Sequence, residues 1–393
     1  MDIAALRAEL PVLQRCTYLN CGTYGPLPSP VADELVRWYR RLEAEGPFAF
    51  EVTRDLYDEY EAARRTVASL VQADPAEITL TRNVSEGVDI IANGMTWQTG
   101  DEVILTNEEH SSGAGPWLNL RNRLGIVVKV VRLAEAPGVY DADRILQRIE
   151  QMITPRTRLI YVSHLSCISG VLLPARALCE LGQRHNVLVM LDGAHTIGQL
   201  PVDVHTLGCD FYAACGHKWL CGPQGTGFLY IRRDRLPLIA PIFVGWGSTA
   251  RYDLEGQIFE PWDDGRRFEY GTRPWPLYPA LKVAAQRIQA LDPTAIIATI
   301  APLVAHLKDE LTQIPGVTLH TPRAADLSAG LVTISHNGPP DLGQRLWQEH
   351  RILVSHNPDR RWMRLSVNAY VLPEELERLV ALLDQYIGQE IAN

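Results

Sequence analysis

The chain has 393 residues, too many for one minimal core, which indicates two domains or one large domain with a smaller one. It is 46% hydrophobic and 21% charged, an ordinary globular composition, and no apolar run approaches the ~18 residues that cross a bilayer. The formal net charge of −9, which no basic stretch offsets, argues against a non-specific nucleic-acid binder.

The N-terminal residues and the cysteines indicate the cellular compartment of the protein. The segment MDIAALRAELPVLQR lacks a basic region followed by a continuous apolar one, so we expect no signal peptide. The 7 cysteines are irregularly spaced and form no CxxC pair. An odd, irregular set indicates free thiols rather than a disulfide framework, so we expect a cytoplasmic protein that does not associate with membranes.

From about residue 78, short apolar runs alternate with amphipathic ones. EITL is followed by SEGVDIIANGM, DEVILT by GPWLNLRNRLG, IVVKVVRL by DADRILQRIEQMI, and RLIYVSH by PARALCELGQRH; then come VLVML, DFYAA and GFLYIR. Strands that alternate with helices indicate βαβ units, and nearly all-apolar strands indicate a sheet covered on both faces. We therefore predict an α/β fold with a mostly parallel sheet.

The pattern changes after the turn-rich stretch 245–276. YPALKVAAQRIQAL and IATIAPLVAHLKDELTQI read as helices, and GLVTISH, ILVS, WMRLSV and the helix PEELERLVALLDQYIG follow. We predict a large α/β domain over residues 26–279. A smaller α+β domain would combine residues 280–393 with residues 1–25.

Polar residues follow five of the predicted strands directly. In open α/β sheets, ligands bind beyond the carboxyl ends of the strands. We therefore expect one edge of the sheet to collect Asn83 and Ser85, His110, His164, Asp192 and His195, and His217 with Lys218.

This set of residues fits pyridoxal phosphate (PLP). A lysine can form a Schiff base with a carbonyl cofactor, and PLP needs a carboxylate beside its ring nitrogen to act as an electron sink. Lys218 and Asp192 supply these two groups. Asn83 and Ser85 open a predicted helix, whose N-terminus would bind the phosphate, and His110 would stack on the ring.

The segment LDGAH…GHKWLCGPQGTGFLYI resembles the fold-type I PLP enzymes of the class V aminotransferase group, which includes the cysteine desulfurases. TRNVSEG, NEEH, SHLSCISG, RRFEYGTRPW and MRLSVNAY extend the resemblance over nearly the whole chain. Within that group the chain is most similar to cysteine/cystine C–S lyases, and next to isopenicillin N epimerase-like proteins. YLNCGTYGPLP, EGPFAFE and VGWGSTARYDLEG carry this closer similarity.

The resemblance implies roles at the cofactor. Lys218 would be the Schiff-base lysine that moves the proton at the substrate Cα, with Asp192 at the ring nitrogen, His110 stacked on the ring and His195 near the ring hydroxyl. The phosphate would be held by Asn83, Val84, Ser85 and His217.

The same resemblance implies roles for the substrate and for a partner subunit. Arg364 would bind the α-carboxylate of an amino-acid substrate, a bidentate task suited to arginine. Gly22 and Thr23 would line the substrate side. Thr272 would reach the phosphate of a neighbouring subunit, which implies a homodimer with shared active sites.

The chain departs from the family pattern at several positions. Cys215 stands in the cofactor site where a serine is common, so a weak thiol replaces a hydroxyl donor, and Cys167 falls where a ring-contacting asparagine is usual. The segment ILVSHNPDRRWMRLS lacks the nucleophilic cysteine of desulfurases, which argues against an enzyme-bound persulfide. The extra arginine that C–S lyases carry near Val354 or Ser355 is missing, and the nearest arginines are Arg360 and Arg361.

The leading hypothesis is β-elimination at a C–S bond of cysteine- or cystine-type substrates, giving pyruvate, ammonia and a thiol or persulfide. The same residues leave transamination and epimerisation open. Other classes remain as alternatives: a metal-dependent hydrolase using Asp192, His195, Glu109 and His110, a nucleotide binder using GPQGTG, and a catalytically dead binding protein.

Overall fold

The computed structural model describes residues 1–392, which form twelve α-helices and fifteen β-strands. The helices are α1 (Ile3–Ala8), α2 (Ser29–Glu45), α3 (Phe50–Leu70), α4 (Val84–Gly94), α5 (Ser111–Leu124), α6 (Ala142–Met152), α7 (Ala175–His185), α8 (Val204–Leu207), α9 (Leu277–Leu291), α10 (Pro293–Leu311), α11 (Leu342–His350) and α12 (Pro373–Ala392). The strands are β1 (Thr17–Tyr18), β2 (Ile78–Thr81), β3 (Glu102–Thr106), β4 (Val127–Val131), β5 (Thr157–Ser163), β6 (Leu188–Asp192), β7 (Phe211–Cys215), β8 (Gly227–Ile231), β9 (Thr249–Asp253), β10 (Ile258–Pro261), β11 (Val317–Leu319), β12 (Leu331–His336), β13 (Ile352–Leu353), β14 (Ser355–Asn357) and β15 (Trp362–Ser366).

Seven strands form the main sheet, in the order β2-β8-β7-β6-β5-β3-β4. β8 runs antiparallel to β2 and β7, and the other neighbouring strands pair in parallel. β7 and β8 are buried along their whole length, as expected of apolar strands covered on both faces. The predicted α/β class with a mostly parallel sheet is confirmed.

A second sheet of four antiparallel strands, in the order β11-β12-β15-β14, follows in the C-terminal part. The N-terminal segment joins this part because β1 pairs in parallel with β13, with Thr17 opposite Ile352. Arg7 also forms an ion pair of 2.9 Å with Glu375. These contacts agree with a small domain built from both ends of the chain, whose boundaries at 25/26 and 279/280 stay a prediction.

A buried polar cluster lies where α3 packs against the segment before α9. Arg64 donates to both carboxylate oxygens of Glu269, at 2.6 and 2.8 Å, and Tyr60 donates its hydroxyl to Glu269 at 2.8 Å. The backbone N–H of Leu80 is a further donor to Glu269, at 2.7 Å. We call Tyr60, Arg64 and Glu269 the Arg64 cluster; it ties α3 to β2 and to the chain that leads into α9.

No single helix among residues 1–392 is long and apolar enough to cross a membrane. By length and composition, α9 and α10 taken together would pass that test, with a bend of 71° between them. Much of α9 is buried, and its Tyr278 packs edge-on against Tyr60 at 4.7 Å between ring centroids.

The parallel strands and β2 end at one edge of the main sheet, where two helices begin. Asn83 caps α4 by accepting a hydrogen bond of 2.9 Å from the backbone N–H of Glu86. His110 precedes α5, and its Nδ1 accepts from the backbone N–H of Ser112 at 3.1 Å. The helix starts therefore face the same edge as the polar residues that follow the strands.

Candidate active site

A cavity of about 340 Å³ lies at this edge. It is lined by Gly22, Thr23, Tyr24, Asn83, Val84, Ser85, His110, Ser112, Ser163, Cys167, Asp192, Ala194, His195, Cys215, His217, Lys218 and Arg364. Twelve of the thirteen residues that were given a role with the cofactor or the substrate are among them, and the exception is Thr272, which is exposed. The chain thus brings the predicted set together from both ends of the sequence and from the centre of the main sheet.

Lys218 reaches the cavity from the loop after β7. Its Nζ lies 3.1 Å from Nε2 of His195, and Nδ1 of His195 accepts a hydrogen bond of 3.2 Å from the indole of Trp219. Burial is the largest cause that holds the pKa of His195 well below its usual range. The lysine amine therefore faces a neutral imidazole.

Asp192 ends β6 and is held rigidly by two donors. Tyr161 donates its hydroxyl to Oδ2 and the backbone N–H of Ala194 donates to Oδ1, each at 2.8 Å. Asp192 is only 5% exposed, and both of its oxygens have a hydrogen-bond donor. Its carboxylate is thus placed to hold a proton on a bound ring.

A second carboxylate near Asp192 belongs to Glu109, a residue that is half-buried. Glu109 accepts from Thr106 Oγ1 at 2.5 Å and from both the backbone N–H and the hydroxyl of Ser163, at 2.9 and 2.6 Å. Burial raises the pKa of Glu109 to about 7; the hydrogen bonds oppose this rise and the charge of Asp192 adds to it. The described residues give Glu109 no cationic partner.

The start of α4 forms the anion-binding side of the cavity. Backbone N–H groups in the first turn of a helix have no partners within the helix and favour an anion. Asn83, Val84 and Ser85 occupy this end of α4 and line the cavity. His217 also lines the cavity; burial, and then the charge of Lys218, lower its pKa to about 4.

His110 is free to cover a flat ligand. Burial, and secondly the charge of Lys218, lower its pKa, and its Nδ1 is engaged at the start of α5. The ring lines the cavity, and within residues 1–392 it forms no hydrogen bond with another side chain. This geometry suits a stacking role.

Arg364 lies on β15, and its guanidinium side chain lines the cavity. It donates to the backbone oxygen of Cys167 and to Thr23 Oγ1, each at 3.0 Å. Gly22 is required next to it, because a Cβ there would lie 2.8 Å from Ser366 Oγ and 3.3 Å from His195 Cε1. The N-terminal segment therefore packs tightly against the site.

One edge residue was predicted wrongly, and several were missed. His164 does not line the cavity; its ring is buried and its Nδ1 lies 3.1 Å from the Tyr212 hydroxyl. Ser163 lines the cavity instead, because successive strand residues point to opposite faces. Tyr24, Ser112 and Ala194 were also missed, although each lies within three residues of a predicted one.

The structure shows where the residues that depart from the family pattern lie. Cys215 turns its thiol towards the backbone oxygen of Ala194, at 3.8 Å, and Cys167 lines the cavity. Arg360 and Arg361 do not line it, and Arg361 donates instead to the backbone oxygen of Asn337. Ser355 lies directly opposite Arg364 in the sheet.

The seven cysteines are all buried and free. Burial raises the pKa of Cys167 and of Cys215 to about 11, and that of Cys21 to about 12. The pKa values of Cys16, Cys179, Cys209 and Cys221 are raised by burial as well. Because the thiolate is the nucleophile, none of these thiols is activated.

No group of three His, Cys, Asp or Glu side chains within residues 1–392 could hold a metal ion. The residues present do fit PLP. Two buried polar atoms of cavity-lining residues, Nδ1 of His217 and Arg364 Nε, have no hydrogen-bond partner in the described part of the chain, so an anionic ligand would satisfy them. The amine of Lys218, the carboxylate of Asp192 and the start of α4 complement the aldehyde, ring nitrogen and phosphate of that cofactor.

Two known enzymes are similar in sequence to this chain over nearly its whole length. The isopenicillin N epimerase of Streptomyces clavuligerus is 33% identical over 391 residues, covering 94% of this chain and 95% of its own. The cysteine desulfurase of Pectobacterium atrosepticum is 30% identical over 407 residues, covering 98% and 97%.

The cystine C–S lyase C-DES has a similar fold. Its complex with its reaction product, cysteine persulfide, superposes with a TM-score of 0.88 at 32% identity over 96% of this chain and 99% of its own. A C-DES variant with glycine covalently linked to the PLP cofactor reaches 0.90 at 31% identity, over 97% and 99%. These similarities confirm the predicted fold-type I PLP architecture.

The sequence model described as Aminotransferase class-V matches residues 17–357. Together with the whole-length relatives, this match confirms the predicted family and the predicted cofactor. The chain belongs to the class V aminotransferase family and is a PLP-dependent enzyme.

Proposed function

We propose that this enzyme cleaves the C–S bond of a cysteine- or cystine-type amino acid by β-elimination. One observation carries the proposal: an amine, a carboxylate and a guanidinium (Lys218, Asp192 and Arg364) line one cavity that contains no activated thiol. The similarity to C-DES and to cysteine desulfurases supports a sulfur-containing amino acid as substrate.

PLP supplies an electrophilic aldehyde and a protonated ring that accepts the electron pair left when a bond at Cα breaks. Lys218 is the amine that would bond the cofactor, and it would then take the proton from Cα. Asp192, held by Tyr161 and Ala194, would keep the proton on the ring nitrogen. His110 would cover the ring, and the start of α4 with His217 would bind the phosphate; all of these residues line the cavity.

Arg364 binds the substrate α-carboxylate. Its two existing hydrogen bonds, to Cys167 and Thr23, fix the guanidinium without using all five of its N–H groups. Held in this way, the substrate would present the hydrogen on Cα to Lys218.

The fate of the sulfur follows from the cysteines. A desulfurase must take the sulfur onto a reactive thiolate, whereas the thiols here are buried and protonated. The Cβ–S bond therefore breaks with its electron pair on sulfur, and the thiol or persulfide leaves into solution. Water then converts the three-carbon remainder to pyruvate and ammonia.

An amino-acid panel tests this proposal. Cysteine, cystine and alanine would be incubated with the PLP-loaded enzyme, and pyruvate, sulfide or persulfide, and amino transfer to an added keto acid would be measured. We expect pyruvate and a sulfur product in equal amounts from the sulfur substrates alone. Amino transfer without sulfur release would show that the enzyme is an aminotransferase.

Epimerisation is the second candidate, because the isopenicillin N epimerase of Streptomyces clavuligerus is 33% identical over nearly the whole chain. It uses the same proton removal at Cα but returns the proton to Cα. Deuterium incorporation at Cα with inversion, and with no pyruvate, would favour this reaction over elimination.

We also propose a cytoplasmic homodimer that shares its active sites. Thr272 is exposed and does not line the cavity of its own chain, which is compatible with a contact to the phosphate of a partner subunit. The seven free thiols suit a reducing compartment. Sedimentation would give the oligomeric state. Mixing Thr272→Ala and Lys218→Ala subunits would test whether Thr272 of one subunit completes the active site of the other.

A further inference from the structure

His195 lies between the reactive amine and a buried indole. Its Nε2 is 3.1 Å from Lys218 Nζ, and its Nδ1 is 3.2 Å from Nε1 of Trp219. An indole N–H can only donate a hydrogen bond. Nδ1 of His195 is therefore the acceptor and carries no proton.

This contact fixes where the ring proton is. His195 is 3% exposed, and burial, the largest cause, holds its pKa well below the usual range. The ring is neutral and has a single proton. That proton must be on Nε2, the nitrogen that faces Lys218.

We propose that Trp219 is a positioning residue for Lys218: its indole N–H holds His195 in the Nε2–H tautomer, which donates to the uncharged amine. Only an uncharged amine has a lone pair to accept this bond, and this is the form that attacks a carbonyl carbon. The inference rests on the proposed function, in which Lys218 is the amine that bonds PLP.

The packing of Trp219 keeps the indole in place. The side chain is fully buried in a cluster with Cys21, Leu165 and Leu331. Gly330 leaves room for it, because a Cβ at that position would lie 2.8 Å from Cη2 of the indole. The donor therefore cannot turn away from His195 without moving its neighbours.

The surrounding ionisable groups do not select the tautomer. They are Asp192 at the end of β6, Cys215 at the end of β7, His217 in the loop that follows, His110 before α5, Cys167 after β5 and Arg364 on β15. Of these, Arg364, His110 and His217 contribute to the lowered pKa of His195, but the one hydrogen bond that distinguishes its Nδ1 from its Nε2 comes from Trp219. Without it, the ring can place its proton on Nδ1 and accept from a charged Lys218.

The test uses Trp219→Phe, which keeps an aromatic ring and removes the N–H. The full-length, cofactor-free protein would be mixed with PLP, and the rate of uptake would be followed by absorbance from pH 6 to 10. We expect the pH midpoint to rise by about one unit, so uptake would be roughly tenfold slower on the rising limb and equal to wild type at high pH.

Two further variants separate positioning from packing. Trp117→Phe is the matched control, since Trp117 is fully buried and its Nε1 has no hydrogen-bond partner in the described chain; we expect an unchanged midpoint. In a His195→Gln background, Trp219→Phe should produce no further shift. An equal loss of rate at every pH, or the same shift in the His195→Gln background, would overturn the inference.

If Trp219→Phe does not fold, the tautomer can be measured in the wild-type protein. Nitrogen-15 NMR of labelled histidine, assigned by His195→Gln, should show a protonated Nε2; a protonated Nδ1 would overturn the inference. Peptide mapping after borohydride reduction keeps the two proposals apart. PLP trapped on a residue other than Lys218 would refute the proposed function, whatever the tautomer of His195.

Discussion

Two carboxylates in this enzyme, the buried Glu269 and the half-buried Glu109, have pKa values that are shifted in opposite directions. Burial alone would raise the pKa of Glu269, but the Arg64 guanidinium outweighs it and the net shift is downward. Glu109 has hydroxyl and backbone donors but no cation among the described residues, and burial raises its pKa to about 7. A buried carboxylate that is paired with a cation keeps its charge, whereas one that has only neutral donors, and lies near Asp192, has a raised pKa.

The comparison extends to the groups around each carboxylate. In the Arg64 cluster every charge has a bonded partner, and the guanidinium meets both oxygens of Glu269. Around the cavity, Arg364 Nε and Nδ1 of His217 lack protein partners in residues 1–392, and Lys218 faces a neutral histidine. The predictions below, from the largest expected effect to the smallest, test whether one region controls stability and the other activity.

Lys218→Ala should have the largest effect. Because it removes the amine that bonds the cofactor and moves the Cα proton, turnover should fall by roughly 10³-fold or more. Borohydride should no longer fix PLP to the protein, while the thermal midpoint stays near that of the wild type. Lys282→Ala, which does not line the cavity, is the control. Turnover within tenfold of wild type would remove Lys218 from its proposed role.

Arg64→Met should act on stability instead. It leaves Glu269 buried without its cation, and breaking such a pair costs about 3–5 kcal/mol. Urea unfolding of the PLP-free protein would measure this loss. Arg176→Met is the matched control, since its pair with Glu180 is exposed and such pairs contribute little. Equal effects of the two variants would contradict the distinction between the regions.

Glu109→Gln should change the pH dependence of stability. The folded state raises the pKa of Glu109 from 4.5 to about 7, so wild-type stability is fully present below pH 4.5 and falls as the pH rises to 7. Glutamine cannot ionise and escapes this loss. At pH 8 the variant should therefore be more stable than the wild type by up to about 3 kcal/mol.

Thermal unfolding at pH 5 and at pH 8 would measure the effect of Glu109→Gln, and the exposed Glu43→Gln is the control. The gain should appear at pH 8 and shrink towards pH 5. A gain of the same size at both values would mean that ionisation of Glu109 is not its cause.

Arg364→Ala should have the smallest of these effects. Loss of a charged hydrogen bond to the α-carboxylate should raise KM about 10- to 100-fold, with a smaller change in kcat. Arg361→Ala, on the same hairpin but outside the cavity, should leave KM unchanged. An unaltered KM in Arg364→Ala would place the carboxylate elsewhere.

Much of the site could be predicted because it depends on local order. Polar residues that directly follow apolar strands must collect at the carboxyl edge of a parallel sheet, and Asp192, Lys218 and His110 do so. The choice of His164 over Ser163 failed because a strand sends neighbours to opposite faces, and chemical suitability does not tell which face is the cavity.

Other parts depend on long-range packing that no local pattern reveals. The contact of Trp219 with His195 follows from the folding of the loop after β7, and the donation from Tyr161 to Asp192 follows from the pairing of β5 with β6. Tyr24 reaches the cavity because β1 pairs with β13, some 330 residues away. The roles of the individual site residues stay predictions until the variants are measured.

The reversed direction of β8 has a mechanical consequence for the reactive lysine. Because β7 enters the 216–226 loop and β8 leaves it at the same edge, both ends of that loop are clamped to adjacent strands. Gly222 donates back to Gly216 at 2.7 Å, and Gly25 donates to His217 at 2.7 Å, so the loop is closed on itself and tethered to the N-terminal segment. Any movement of the Lys218 amine between cofactor and substrate must then come from rotation about the bonds of its four methylene groups, while the backbone of the loop stays in place.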